Sequence, residues 1–156
     1  GYELIPIEKE IQHAKNYLVI QSYRYKDQFI YNFDIKEEVL PYLCNKITIQ
    51  PIIENALYHG ISRMVDEGEI SISVHKVGND IIMKIKDNGV GMSEDILSKL
   101  FKIEEKITSK GTNGENGTGL GLILCKEFVN KNGGEIWAES EENNGSKFYF
   151  TIPAVD

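Results

Sequence analysis

Apolar positions follow two rhythms along this chain. Ile7, Ile11, Ala14, Leu18 and Tyr25 recur at three-, four- and seven-residue steps, with Glu8, Lys9, Glu10 and Lys15 between them. That spacing predicts an amphipathic helix of about twenty residues, with Pro6 in its first turn where a missing N–H costs nothing. The chain opens on Gly1-Tyr2-Glu3, inside what this reading makes a helix, as expected of a piece of a longer protein. Residues 29–35 (FIYNFDI) read as a first strand, and 36–47, broken by Pro41, as a connector. Thr48 is placed to cap a second helix that holds Pro51 in its first turn and Gly60 near its end, burying Ile52, Ile53, Ala56 and Leu57.

Strict alternation then takes over. Residues 69–76 (EISISVHK) and 81–87 (IIMKIKD), joined at Gly78-Asn79-Asp80, predict a hairpin. Ser93 caps a short helix running to about Phe101. Segment 102–117 is charged, carries Gly111, Gly114 and Gly117 and has no sustained period, so it is expected to be a long mobile loop over a functional site. A helix over 120–130 stops at Asn132-Gly133-Gly134, and two strands, 135–140 and 147–152, close the chain around an Asn-Asn-Gly turn. Five strands and four helices, mostly not in βαβ order, predict an α/β two-layer sandwich rather than a doubly wound sheet.

Composition narrows the partners. With 17 basic and 24 acidic residues the net charge is −7, which argues against nucleic acid, since a duplex-binding surface needs clustered Lys and Arg. An anionic ligand remains open to a local site of backbone N–H groups and a metal ion. Cys44 and Cys125, 81 positions apart, fit no metal spacing and are expected to be reduced apolar fillers of a cytosolic protein. No apolar run approaches the roughly 18–20 residues of a membrane span.

Three motifs carry candidate chemistry. Asp87-Asn88-Gly89-Val90-Gly91-Met92 ends a strand; an aspartate there can accept a hydrogen bond from an exocyclic amine, and its glycines let backbone pass beneath a flat ring. Asn116-Gly117-Thr118-Gly119-Leu120-Gly121-Leu122 runs straight into a helix, aiming free N–H groups and the positive end of the helix dipole at phosphate oxygens. It is neither a dinucleotide fingerprint nor a P-loop. In QPIIENALYHG (50–60), Asn55 and His59 are four apart on one helix face, with Glu54 a step round. An asparagine there offers a neutral oxygen to a Mg2+ otherwise bound by phosphates and water. Each motif alone is modest, and DNG by itself is an ordinary turn.

Their order and spacing together resemble the ATP-binding domain of the GHKL superfamily (the Bergerat fold), and within it the bacterial sensor histidine kinases, over essentially the whole chain. IEKEIQHAKNYLVIQSYRYKDQF with ITIQPIIENALYHGI resembles the LytS/YesM type, while LFKIEEK, GTNGENGTGLGLILCKEFVNKNGGEIWAES and GSKFYFTIP are similar to the orthodox kinases. The resemblance implies a mixed sheet of about five strands with helices on one face. It also implies a division into 1–28, the last helix of a dimerisation and phospho-acceptor segment, and 29–156, the catalytic domain. Asn55 would hold Mg2+ between the phosphates, and Glu54 matches an acidic residue proposed as general base. Asp87 would read the adenine amino group, with a water at Ser146, while Gly89 and Gly91 pass under the base. Gly117, Thr118, Gly119, Leu120 and Gly121 would cradle the phosphates, His59 would contact them, and Phe101 would anchor the lid.

One departure stands out: the lysine that many orthodox kinases place just before the His59 position is Tyr58 here. The implied activity is transfer of the ATP γ-phosphoryl to a histidine outside this chain and onward to a response-regulator aspartate. The protein would work as a homodimer, as the cytoplasmic part of a membrane-anchored sensor, without membrane contact by this segment. The acceptor motif, a Pro-His-Phe type, is absent, and His13 and His75 match it no better than His59. The alternatives are a clamp-type GHKL ATPase, a nucleotide-sensing module without catalysis, and a serine kinase of the same fold.

Overall fold

The computed structural model describes residues 3–26, 28–102 and 120–154. Five strands form the main sheet in the order β2-β4-β5-β7-β6: β2 (Phe29–Ile35), β4 (Gly68–Val77), β5 (Asp80–Asp87), β7 (Ser146–Pro153) and β6 (Ile136–Ser140). Only β2 and β4 run parallel, as a crossover between them requires; the other neighbours are antiparallel. The period-two alternation does what it predicts. Ile70, Ile72 and Val74 of β4, Ile81, Met83 and Ile85 of β5, and Phe148, Phe150 and Ile152 of β7 are all buried. The opposite face holds half-buried and exposed positions, among them Trp137 stacked on Tyr149 at 5.2 Å.

The helices supply the second layer. α1 (Ile7–Arg24) buries Ile7, Ile11, Ala14 and Leu18, and α2 (Ile49–Asn55) buries Ile49, Ile52 and Ile53. The twelve-residue α4 (Leu120–Lys131) buries Leu122, Cys125 and Val129, while α3 (Glu94–Lys99) is short. The Ser93 hydroxyl accepts from Ile96 N at 3.2 Å, the expected cap for α3. Two-layer packing with a mixed sheet is thus borne out, and both cysteines are free and buried.

Two local expectations are corrected. The chain does not enter the described region as a helix: Leu4–Pro6 is strand β1, paired antiparallel with β3 (Leu43–Asn45) in a separate two-stranded ribbon. Pro6, at φ −60° and ψ 144°, is the last extended residue and stands at the N-cap position of α1, without a capping bond, rather than lying in its first turn. The first N–H groups of α1 are satisfied by the connector, Ile7 N donating to Tyr42 O at 2.8 Å and Glu8 N to Leu40 O at 3.1 Å. Thr48 does occupy the position before α2, but its side chain makes no capping bond. Its φ of −100° and ψ of −30° lie outside the extended region from which a capping hydroxyl folds back. The carboxylate of Glu10 caps the helix instead, accepting from the backbone N–H of Ile47, Thr48 and Ile49.

Candidate nucleotide site

Asp87 is the last residue of β5 and only 4% exposed, although it is an acid. Its antiparallel partners are Ile70 on one side and Ser146 on the other. The chain folds back at once, so that Gly89 N donates to Asp87 Oδ1 at 2.8 Å, and the N–H of Ser146 donates to the same carboxylate. Burial raises the Asp87 carboxyl from 3.8 to about 6, with those two N–H donors pulling the other way. An ionised carboxylate has about four acceptor sites, so two backbone donors leave capacity for a ligand's N–H.

The turn around Asp87 is built tightly. Asn88, which reads in sequence as a plain turn residue, ties the hairpin to β4: its Oδ1 accepts from Glu69 N at 2.7 Å and its amide donates to Glu67 O at 3.3 Å. Gly91 has φ +73°, and a Cβ there would run into the carbonyl of Glu141, so only glycine fits. Ser140, which the sequence reading did not single out, links three strands' ends. Its hydroxyl accepts from Met92 N at 2.8 Å, donates to Gly145 O at 3.0 Å and lies 2.8 Å from Ser146 Oγ.

The helix motif of residues 50–60 is brought to the Asp87 motif by a contact between glycines. Beyond Asn55, α2 widens into a π-helical turn over Ala56–Gly60, a distortion often found at functional sites. Gly60 then abuts the Asp87 turn: a Cβ on Gly60 would lie 3.1 Å from Asp87 Oδ1 and 3.4 Å from Gly89 Cα. Glu54, Asn55 and His59 are all half-buried. Burial raises the Glu54 carboxyl. Tyr17 of α1 is close enough that, after burial, the Glu54 charge is the next influence raising its phenol.

Of the glycine-rich motif, Gly117, Thr118 and Gly119 lie outside the described residues, with the rest of segment 103–119 and the loop expected there. Leu120 opens α4, and a Cβ on the exposed Gly121 would lie 3.2 Å from Pro51 Cβ, so the first turns of α4 and α2 are adjacent. Phe101, just past α3, packs against the core with Lys126 Nζ of α4 5.4 Å from its ring centroid. The structure therefore brings Asp87, Gly89, Gly91 and Ser146 together and sets Glu54, Asn55 and His59 beside them through Gly60. Phe101 and Gly121 meet the same layer from α3 and α4. For a divalent cation the nearby donor set is one amide oxygen with a carboxylate next to it, which fits an ion held chiefly by phosphates and water. No cluster of three His, Cys, Asp or Glu that could hold a metal by itself occurs among the described residues.

Comparison with known proteins gives the family and the fold. Residues 44–156 match the family described as histidine kinase-, DNA gyrase B-, and HSP90-like ATPase. The chain is similar to sporulation kinase D of Bacillus subtilis (strain 168), 34% identical over 134 residues, covering 83% of this chain and 25% of that protein. It is also similar to sensor protein LytS of Bacillus anthracis, 30% identical over 153 residues, 96% of this chain and 25% of that one. It thus spans about a quarter of the length of these relatives. Among solved structures, the catalytic domain of histidine kinase ThkA aligns with a TM-score of 0.69 at 24% identity, covering 97% of this chain and 95% of that one. ThkA in complex with response regulator protein TrrA aligns at 0.65 and 21% identity, over 98% of this chain and 42% of that one. At those identities the likeness is one of fold, and the fold is that of histidine kinase catalytic domains. The family match takes in α2, the β4–β5 hairpin, α4 and the closing strands, and this chain belongs to the histidine kinase-, DNA gyrase B- and HSP90-like ATPase family.

Proposed function

We propose that this chain is the ATP-binding catalytic portion of a two-component sensor histidine kinase. Residues 1–28 end its dimerisation and phospho-acceptor segment, and 29–156 form the nucleotide-binding domain. The observation that carries this reading is Asp87: a buried carboxylate at a strand end, held by two backbone N–H groups and pressed through Gly89 and Gly60 against the helix bearing Glu54 and Asn55. Asp87 accepts from the adenine amino group, Ser146 holds a water beside it, and Gly89 and Gly91 let backbone pass under the base. The run Gly117, Thr118, Gly119, Leu120 and Gly121 offers N–H groups and the N-terminus of α4 to the phosphates. His59 contacts the same phosphates, and Phe101, under Lys126, anchors the segment that covers them.

Asn55 supplies the protein oxygen for Mg2+, which when bound neutralises charge on the phosphates. Glu54 takes the proton of the incoming nucleophile, and its burial-raised pKa makes it the stronger base. The γ-phosphorus–oxygen bond breaks, ADP departs, and a nitrogen–phosphorus bond forms on a histidine outside this chain, whose phosphoryl group then moves to a response-regulator aspartate. Positioning supplies most of the rate. The names of the relatives, a sensor protein and a kinase, support this reading, as does the ThkA–regulator complex. The intact protein is a homodimer with a membrane-anchored sensor region, and this segment makes no membrane contact. No helix among the described residues is long and apolar enough to cross a membrane.

The test separates binding from chemistry. The chain binds ATP and ADP, needs Mg2+ for full affinity, and forms no acid-labile phosphohistidine with radiolabelled ATP, because none of its three histidines sits in an acceptor motif. Adding a polypeptide that carries the acceptor helix restores labelling in trans. Labelling of His13, His59 or His75 would overturn the placement of the acceptor. Fast phosphate release with no acceptor present would point instead to a clamp-type ATPase.

A further inference from the structure

Glu10 is a glutamate on the buried face of an amphipathic helix, 1% exposed. Its Oε1 accepts from Ile47 N at 2.9 Å, and its Oε2 from Thr48 N at 2.8 Å, Ile49 N at 3.1 Å and Thr48 Oγ1 at 3.3 Å. The partners are 37 to 39 residues away in sequence. Ile47, a β-branched residue, is held at φ +59°, a conformation such residues avoid. A bend of this kind turns successive N–H groups to one side, making a concavity for an anion. Here the anion belongs to α1, and the dipole of α2 favours it there. His13 Nδ1 lies 3.9 Å from the same carboxylate and is half-exposed.

A third helix meets the same point. Cys125 of α4 donates its thiol to Thr48 O at 3.3 Å. That thiol is pushed up to about 12 by burial and then by the carboxylates of Glu10 and Glu54, which places both acids near it. At its far end, α2 is pressed against the Asp87 turn by the Gly60–Gly89 contact. The helix bearing Glu54 and Asn55 is therefore held at two points, Glu10 at the start and Gly89 at the end.

We infer that Glu10 is a positioning residue for the phosphate end of the nucleotide site: it fixes the direction in which α2 presents Asn55, and so ties metal-dependent nucleotide binding to the seating of α1. This rests on the nucleotide reading above. Without the carboxylate, the buried N–H groups of Thr48 and Ile49 and the half-buried one of Ile47 lose their acceptor, and α2 pivots about Gly89. Asp87, Gly89 and Ser146 stand on β5, its turn and β7, so recognition of the base stays in place. The loss falls on the metal term.

The experiment measures ADP affinity by calorimetry with and without Mg2+, at a temperature where circular dichroism shows every variant folded. The proteins are wild type, Glu10→Ala, Glu10→Gln and Val74→Ala, the last a fully buried position on β4 outside the site, included as a control for general destabilisation. In wild type Mg2+ tightens ADP binding. Glu10→Ala loses at least fivefold of that gain while its Mg2+-free affinity stays within twofold of wild type. Glu10→Gln, with one acceptor oxygen left, recovers part of it, and Val74→Ala keeps the full gain. If Glu10→Ala does not fold, Glu10→Gln decides by the same criterion. An unchanged Mg2+ gain in a folded Glu10 variant overturns the inference, as does a parallel fall of both affinities or a wild type indifferent to Mg2+. A wild type that binds no ADP at all overturns the nucleotide reading itself.

Discussion

Asp87→Asn makes the nucleotide-free protein more stable at pH 7.5 and removes most of its nucleotide affinity. Burial lifts the Asp87 carboxyl from 3.8 to about 6 in the folded chain. A raised acid stabilises the fold fully below its unfolded value, and that contribution is lost as pH climbs through about 6. Above that, the ionised carboxylate costs about 3 kcal/mol relative to a neutral group in the same place. Asparagine removes that cost and keeps one acceptor oxygen, for Gly89 N or for Ser146 N. The other donor loses its partner, at about 1 kcal/mol. The net gain is about 1–2 kcal/mol at pH 7.5, shrinking towards pH 4, where wild type is itself protonated. Binding moves the opposite way. An amide that presents N–H to the adenine amine mispairs a buried acceptor site, costing about 2–3 kcal/mol, or roughly 30- to 150-fold in Kd. Wild-type affinity falls as pH drops below about 6, and that of the variant does not. Thermal melts at pH 4.5 and 7.5 with calorimetric titrations of ADP check both halves. A variant less stable than wild type by equal amounts at the two pH values would show that the charge is not what Asp87 costs the fold.

That Asp87 ends a strand was legible because β4, β5 and β7 alternate cleanly, and period two fixes which side chains enter the core. The buried stripe of α1 was only half legible. Ile7, Ile11, Ala14 and Leu18 mark it, but Glu10 and Gln21 lie on it too, at steps of three and four from those residues, and both are buried. Glu10 read as a charged spacer because its partners stand 37 or more residues away, beyond any local pattern. For the same reason Thr48 read as its own cap. The β1–β3 ribbon escaped notice because three-residue strands carry no measurable period, and their pairing joins Leu4 to Asn45 across the whole of α1 and β2. Gly60 and Gly89 were visible as glycines of two motifs. Their contact was not, since it depends on where a helix end meets a strand end. The signal available was their chemistry: two motifs, each spending a glycine next to its polar residues, where a close backbone approach is the usual reason.

Gly89→Ala tests that contact through a steric clash between two backbone segments. Gly89 is not among the glycines with positive φ, which are Gly78, Gly91, Gly133 and Gly145. Alanine is therefore not excluded by backbone conformation, and through the unfolded chain alone it would stabilise the protein by about 0.4–1 kcal/mol. The obstacle is space. A Cβ on Gly89 would overlap Gly60 Cα and come within 2.6 Å of Gly60 C and 2.9 Å of Asp87 Oδ1. Two of those atoms are backbone, so neither can swing aside, and the third is held by the Gly89 N–H itself. The end of α2 must separate from the β5 turn, at about 2–3 kcal/mol, the upper part of the range for overpacking. Gly60→Ala meets Asp87 Oδ1 at 3.1 Å and Gly89 Cα at 3.4 Å, contacts that a few tenths of an ångström relieve, so it costs about 1 kcal/mol or less. Separation also moves Asp87 away from the Asn55 helix, so ADP affinity falls by roughly 30-fold or more in Gly89→Ala and by less than tenfold in Gly60→Ala. Urea unfolding and ADP titration of the two variants give the ranking. A Gly89→Ala protein with wild-type stability and affinity would mean that the helix and the strand end are not in contact, and the two halves of the site would then have no common frame.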